Sequence, residues 1–248
     1  MIIEHISASS IRVWDQCKLQ FYAKKVLNID EGEVHPATKV GSAVHKAMEL
    51  AHKPTIVGNI HHSPSHDGRL HVAVACDACE VHDEKDKEKV YELVQVCEDW
   101  GWWSDLPHLK LCESEKRFLL DIGEGVNIKG FIDRLDIDSQ GNARIIDIKT
   151  QSKAYTKAEI DNNIQARLYN IAVRLMYDVK TPIPFEWWVV KHSIQTKILT
   201  ADDAVRDTEF FIKKGHEIMT YSQLKPPPYS TGYHCRWCAY QAECPAWM

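Results

Sequence analysis

The sequence predicts an α/β chain of mixed, α+β character. Helical patterns crowd its first hundred residues, segments rich in Ile, Val, Leu and Phe fill residues 109–150, and a helix, strand, helix order follows. With 248 residues, 44% apolar and 26% charged, the chain can bury a sizeable core. That composition excludes a disordered tail, a collagen-like repeat and a fibre. No run approaches the roughly 20 apolar residues that span a bilayer. Met1 to Ser10 lacks the basic start and long apolar stretch of a secretory signal. The expectation is a cytoplasmic protein with no membrane partner.

Ser7, Ser9 and Ser10 offer N-caps for a first helix through about Lys24, with Ile11, Trp14, Leu19 and Tyr22 near helical spacing. Val40, Ala43, Val44, Ala47, Met48 and Ala51 then repeat at a period of 3.6, predicting a helix over 38–52. Residues 54–68, with two Pro, two Gly and three His, read as a loop. Residues 83–103 read as a charged helix with Val90, Leu93, Val94 and Cys97 on one face. Segments 109–122, 126–138 and 143–150 form a predicted meander of three strands, with turn residues at 123–125 and 139–142. Beyond it come a long helix over 156–177, a strand over 185–193 and a helix over 202–221. Pro226, Pro227 and Pro228 end regular structure before a cysteine-rich tail over 226–248. The whole chain reads as one domain with an insertion over 53–105.

The net charge of -5 disfavours coating nucleic acid by bulk charge. That average hides an asymmetry. Residues 76–115 hold 12 acidic and 4 basic residues, so the remainder carries 26 basic against 23 acidic and leaves room for a locally basic groove.

The chemistry concentrates in Gly130-Phe-Ile-Asp133-Arg-Leu-Asp and, after a turn, Ile145-Ile-Asp147-Ile-Lys149-Thr150. If Ser139 to Gly141 form a three-residue hairpin loop, paired numbers sum to 280 and Asp133 lies opposite Asp147. Opposed residues have Cβ atoms about 4.5–5.5 Å apart. A two-residue turn would shift the register by one and still keep the carboxylates close. Alternation puts Asp147 and Lys149 on one face while Ile146 and Ile148 point to the other. Two carboxylates that close stay ionised most readily around a hard divalent cation, Mg2+ or Mn2+. Lys149 could orient or deprotonate an attacking water, or counter charge developing on a phosphate. An exposed acidic hairpin with a surface ion pair is the structural alternative.

Eight cysteines in a chain without a secretory signal read as metal ligands or core thiols rather than disulfides. Cys235-x2-Cys238-x5-Cys244 supplies three thiols and Cys17 is the candidate fourth, a set that suits zinc or an iron-sulfur cluster. His71-x4-Cys76-x2-Cys79-x2-His82 is a second quartet that short spacing alone would allow to hold zinc. Cys97 and Cys112 read as core thiols.

The order Asp133, then Asp147-x-Lys149 across a hairpin, resembles the PD-(D/E)XK nuclease superfamily. Gly41-Ser-Ala-Val-His45 upstream, Gln165-Ala-Arg-Leu-Tyr169 downstream and the terminal cysteines resemble its RecB-like branch, which includes CRISPR-associated and AddB-type enzymes. The resemblance spans nearly the whole chain. It implies a central mixed sheet flanked by helices, a restriction-endonuclease-like core, standing alone without a helicase domain. It makes His45, Asp133, Asp147 and the Ile148 carbonyl ligands of one or two Mg2+ or Mn2+ ions, with Lys149, Asp133 and Asp147 catalytic. Glu49, one turn after His45, could hold or pair with its imidazole, and Glu115 is a further acidic candidate. Cys17, Cys235, Cys238 and Cys244 become an iron staple, a [4Fe-4S] cluster joining the two ends of the domain. Gln165, Tyr169, Arg12, Trp14 and the segment around Trp102 and Trp103 become DNA contacts.

The implied activity is hydrolysis of DNA phosphodiesters, as a single-strand exonuclease. The implied setting is recombination, repair or CRISPR adaptation in a bacterial, archaeal or phage-infected cytoplasm. The rival reading from another class is a non-catalytic iron-sulfur or zinc protein that binds nucleic acid or acts as a scaffold.

Overall fold

The computed structural model describes residues 3–29, 32, 34–53, 55–57, 60–221 and 227–247. Its centre is a five-stranded mixed sheet in the order β3 (Leu109–Asp121), β4 (Asn127–Asp138), β5 (Ala143–Lys149), β6 (Ile183–Val189) and β7 (Ser193–Leu199). All neighbours are antiparallel except β5 and β6. A parallel pair needs a crossover. Here it runs through α6 (Lys157–Asp161) and α7 (Ile164–Tyr177).

Helices cover both faces. On one side α1 (Ala8–Gln16), α2 (Lys18–Lys25), α7 and α8 (Ala201–Tyr221) bury Ile11, Trp14, Phe21, Ile171 and Phe211 against Ile145, Phe185 and Trp187 of the sheet. On the other, α3 (Pro36–His52), α4 (Val72–Ala78) and α5 (Glu84–Asp99) bury Val44, Met48, Cys76 and Val94 against Ile146, Ile148 and Trp188. The predicted alternation of β5 is therefore real, with each face packed on its own core. From the segment expected as an insertion, α4, α5 and Trp102 supply much of the second core.

Several element boundaries differ from the sequence expectation. The first helix is two helices, broken at Cys17, whose extended backbone (φ -160°, ψ 115°) caps both. Ser7 caps α1 in a reciprocal pair with Ser10. The expected loop at 54–68 contains an antiparallel strand pair, β1 (Thr55–Val57) with β2 (Ile60–His62), and α4 was not legible as a separate helix. The helix expected over 83–103 ends at Asp99, and the one over 156–177 is interrupted at Asn162 and Asn163, where Asn163 caps α7. The strand expected over 185–193 is the first half of a β6–β7 hairpin. Pro226 lies outside the described residues. In the tail after it, Tyr240 is buried and its hydroxyl donates to the Ile29 carbonyl, 3.2 Å away.

Candidate active site

The side chains of interest meet where the sheet's alternation breaks. On β4, Ile128 and Ile132 face the α7 core, but past Asp133 it is Leu135 and Ile137 that do. On β3, Phe118 and Leu120 give way to Leu111. The strand pairing steps over Glu115 and Asp133 together, and Glu115 has a left-handed φ of 50°. A non-glycine residue held there stores strain, which is characteristic of functional sites.

The predicted hairpin register is observed. Arg134 faces Ile146 and Leu135 faces Ile145, so paired numbers sum to 280. That ladder stops one pair short of Asp133 and Asp147. There the Asp133 side chain takes over, its Oδ2 accepting the Ile148 N–H at 2.7 Å.

His45 approaches from α3. Its Nδ1 lies 3.2 Å from Asp133 Oδ2 and 3.8 Å from Glu115 Oε1. Gly41, one turn earlier, explains the glycine of this motif: a Cβ there would lie 2.9 Å from Thr150 Oγ1, so its absence lets α3 sit against the end of β5. Asp147 is fully buried, accepts from Gln165 Nε2 at 2.7 Å through Oδ1, and meets Lys149 Nζ at 2.6 Å through Oδ2.

Electrostatics couple the four groups. Burial opposes a charge on His45, yet Asp133, by charge and hydrogen bond, and Glu115 raise its pKa to about 10. Burial alone would lift the Asp133 carboxyl, but His45 and Lys149 hold it below the usual carboxylate range. Burial and the neighbouring Asp133 charge push Asp147 up to about 6 against the pull of Lys149. Lys149 is raised despite its burial, because Asp147 and Asp133 stabilise the ammonium.

Two carboxylate oxygens and one imidazole nitrogen, from Glu115, Asp133 and His45, lie within 4.8 Å of one another. Hard oxygens with a single nitrogen suit Mg2+ or Mn2+. Asp147 adds a buried Oδ2 with no aligned hydrogen-bond donor, so the residues fit such an ion. All but Asp147 border one open cleft of about 1020 Å³, together with Ile148, Arg12 and Lys46.

Glu115 is the residue that sequence reasoning undervalued. A usable signal existed: centring the Gly123–Gly125 turn on Glu124 makes paired numbers sum to 248, which sets Glu115 across from Asp133, as the observed register does. Glu49 does not hold His45; it pairs with Lys46 and Lys53.

Gln165 and Tyr169 share one face, 3.0 Å apart, and the Tyr169 hydroxyl donates to the Phe131 carbonyl. Arg12 is exposed at the cleft. Trp14 is not available to DNA: it is buried, and its Nε1 donates to Glu217 at 3.0 Å. Trp102 is likewise buried in the second core, and Trp103 stacks on His52 and donates to Glu98.

Cys17, Cys235, Cys238 and Cys244 line one small pocket between the α1–α2 break and the tail. Burial and the nearness of the other three raise the Cys238 pKa. His71, Cys76, Cys79 and His82 do not gather their ligand atoms: His71 binds Ser65 and Cys76 is buried in the α3–α5 core. Cys97 is a core thiol raised by burial, and burial pushes Cys112 up to about 12.

Comparison with known proteins gives relatives in sequence and in fold. An ATP-dependent helicase/deoxyribonuclease subunit of Streptococcus pyogenes serotype M12 (strain MGAS2096) and its counterpart in serotype M1 are each 25% identical over 178 residues. The match covers 66% of this chain and only 16% of either relative's length. A putative exonuclease from Eubacterium rectale shares the fold, with a TM-score of 0.57 over 94% of this chain and 87% of its own at 14% identity. The sequence model of the PD-(D/E)XK nuclease superfamily matches residues 5–245, essentially the whole length over which the sheet, both helical layers and the acidic cleft are built, and the chain belongs to that superfamily.

Proposed function

We propose that the chain is a metal-dependent deoxyribonuclease that hydrolyses DNA phosphodiesters as a single-strand exonuclease. The observation that carries the reading is the convergence of His45, Glu115 and Asp133 within 4.8 Å, beside the Asp147–Lys149 pair, on one open cleft. His45, Glu115, Asp133 and Asp147, with the Ile148 carbonyl, would hold Mg2+ or Mn2+, which supplies Lewis-acid polarisation of the phosphate and activation of water. Lys149, whose Nζ meets Asp147, would orient or deprotonate the attacking water or counter the charge developing on the phosphate. Gln165 fixes Asp147 from behind, leaving its other oxygen for the ion or for Lys149.

The relatives, which carry helicase/deoxyribonuclease names, favour DNA as the substrate. The four cysteines favour an iron-sulfur staple over zinc. All four line one small pocket between the α1–α2 break and the tail, and one distant cysteine with a Cys-x2-Cys-x5-Cys tail is the pattern that resembles the iron staple. Purified protein should accordingly be brown.

The test is cleavage of labelled single-stranded DNA with Mn2+ by the parent, Asp147→Ala and Lys149→Ala. Loss in both variants is expected, and full cleavage by both would sink the assignment. A circular single strand should survive while a linear one is degraded; cleavage of the circle would replace exonuclease by endonuclease.

A further inference from the structure

The sheet has a gap beside the site. The β4–β5 ladder ends at the Arg134–Ile146 pair, and the N-terminal residues join β4 only at Ile128, where Ile6 bonds to Asn127 and Lys129. Between those two partners, residues 130–132 of β4 carry no strand on this edge among the described residues. A cleft of about 340 Å³ lies here, bordered by His5, Arg12, Lys25, Lys129, Phe131 and Gln165.

Three features mark this cleft. Its lining contains no carboxylate, and none of Arg12, Lys25 and Lys129 forms an ion pair among the described residues. The His5 imidazole is pulled below its ordinary pKa by burial and then by Lys129 and Lys25, so the cations act on a common space. Phe131 is 47% exposed in mid-strand, two residues from Lys129 on the same face and directly opposite Arg117. An unburied aromatic ring among unpaired cations is poor packing for a core but good chemistry for a nucleic-acid strand. The cleft also adjoins the catalytic one: Arg12 borders both, and Gln165 reaches from this lining to Asp147.

We infer that this cleft is a subsite for the nucleotides next to the scissile phosphate. Arg12, Lys25 and Lys129 neutralise backbone phosphates while Phe131 stacks on an unpaired base, which selects a single strand. A base inside a duplex offers Phe131 no free face without the cost of unstacking. The inference rests on the nuclease reading and deepens it by assigning Lys25, Lys129 and Phe131 to the strand beside the cut.

The test is fluorescence anisotropy of the full protein with labelled oligo(dT) and with a duplex of equal length, in EDTA so that no cleavage intervenes. Phe131→Ala should weaken oligo(dT) binding about tenfold and leave duplex binding unchanged. The double variant Lys25→Ala/Lys129→Ala should flatten the slope of log K against log salt by about 1.4, as two lost phosphate contacts require. Both positions are accessible from solvent, and circular dichroism should report unchanged folding. Oligo(dT) binding within twofold of the parent with an unchanged salt slope, or no binding by the parent, overturns the subsite. Mn2+-dependent cleavage separates the two claims. A parent that binds strands here but cuts none retains the subsite and loses the nuclease reading, whereas cleavage of single strands with both variants binding normally does the reverse.

Discussion

Lys149 and Glu217 show how burial and partners decide what an ionisable residue does. Lys149 sits against two carboxylates that keep it charged. Removing the ammonium in Lys149→Met should lower the cleavage rate about 10²–10⁴-fold with a smaller change in KM, read by single-turnover kinetics. Glu217 is structural. Burial by itself would raise its pKa, but hydrogen bonds from Trp14, Lys214 and Lys18 lower it to about 2. A carboxylate lowered in the folded state stabilises above its unfolded pKa, and that contribution fades as pH falls through the folded one. The loss should therefore develop between about pH 4.5 and 2. Glu217→Gln should cost about 1–2 kcal/mol at neutral pH, discounted for the 31% exposure of the side chain, and should flatten the acid arm of a Tm-against-pH curve.

At the scale of elements, the site depends on how closely α3 approaches the end of β5. Gly41 permits that approach, and His45 follows one turn later on the same helix. Gly41→Ala adds a Cβ 2.9 Å from Thr150 Oγ1. It should gain up to about 1 kcal/mol in helix propensity while pushing α3 outward. The expected outcome is a loss of Mn2+ affinity and cleavage of about tenfold with Tm nearly unchanged, and partial recovery on adding Thr150→Ala. Calorimetric titration with Mn2+ checks it, and unaltered affinity would mean that the glycine serves only packing. The break in alternation at Glu115 and Asp133 is the second device at this scale: the two carboxylates share a face because they lie across from each other, and the break lets Ile132 before Asp133 and Leu135 after it both reach the α7 core.

For the molecule as a whole, the pocket lined by Cys17 and the three tail thiols brings the first helices and the last residues together. A cluster there would close a loop of more than two hundred residues, and such closures contribute folding free energy that is lost with the metal. Cys17→Ala, or removal of iron by chelation, should bleach the protein and lower Tm by about 5–15 °C. Thermal denaturation followed at two wavelengths would check this; a colourless parent containing zinc would redirect the argument to a mononuclear site. Among the described residues no helix is long and apolar enough to cross a membrane.

The acidic hairpin was legible in the sequence because a strand's period of two and a short turn leave little freedom: residue numbers alone set the pairing of Arg134 with Ile146 and the two faces of β5. Helical periodicity likewise revealed α3, α5 and α8, whose apolar faces are continuous. What it missed were breaks within helices, at Cys17 and Asn163, where capping outweighs local pattern, and the pairing of Thr55–Val57 with Ile60–His62. Trp14 and Phe131 are both aromatic residues beside basic ones. The fold buries the first against Glu217 and leaves the second facing a cationic cleft. Local sequence determines which residues share a face; only packing between layers decides which face meets water, because burial is a property of two surfaces and not of one.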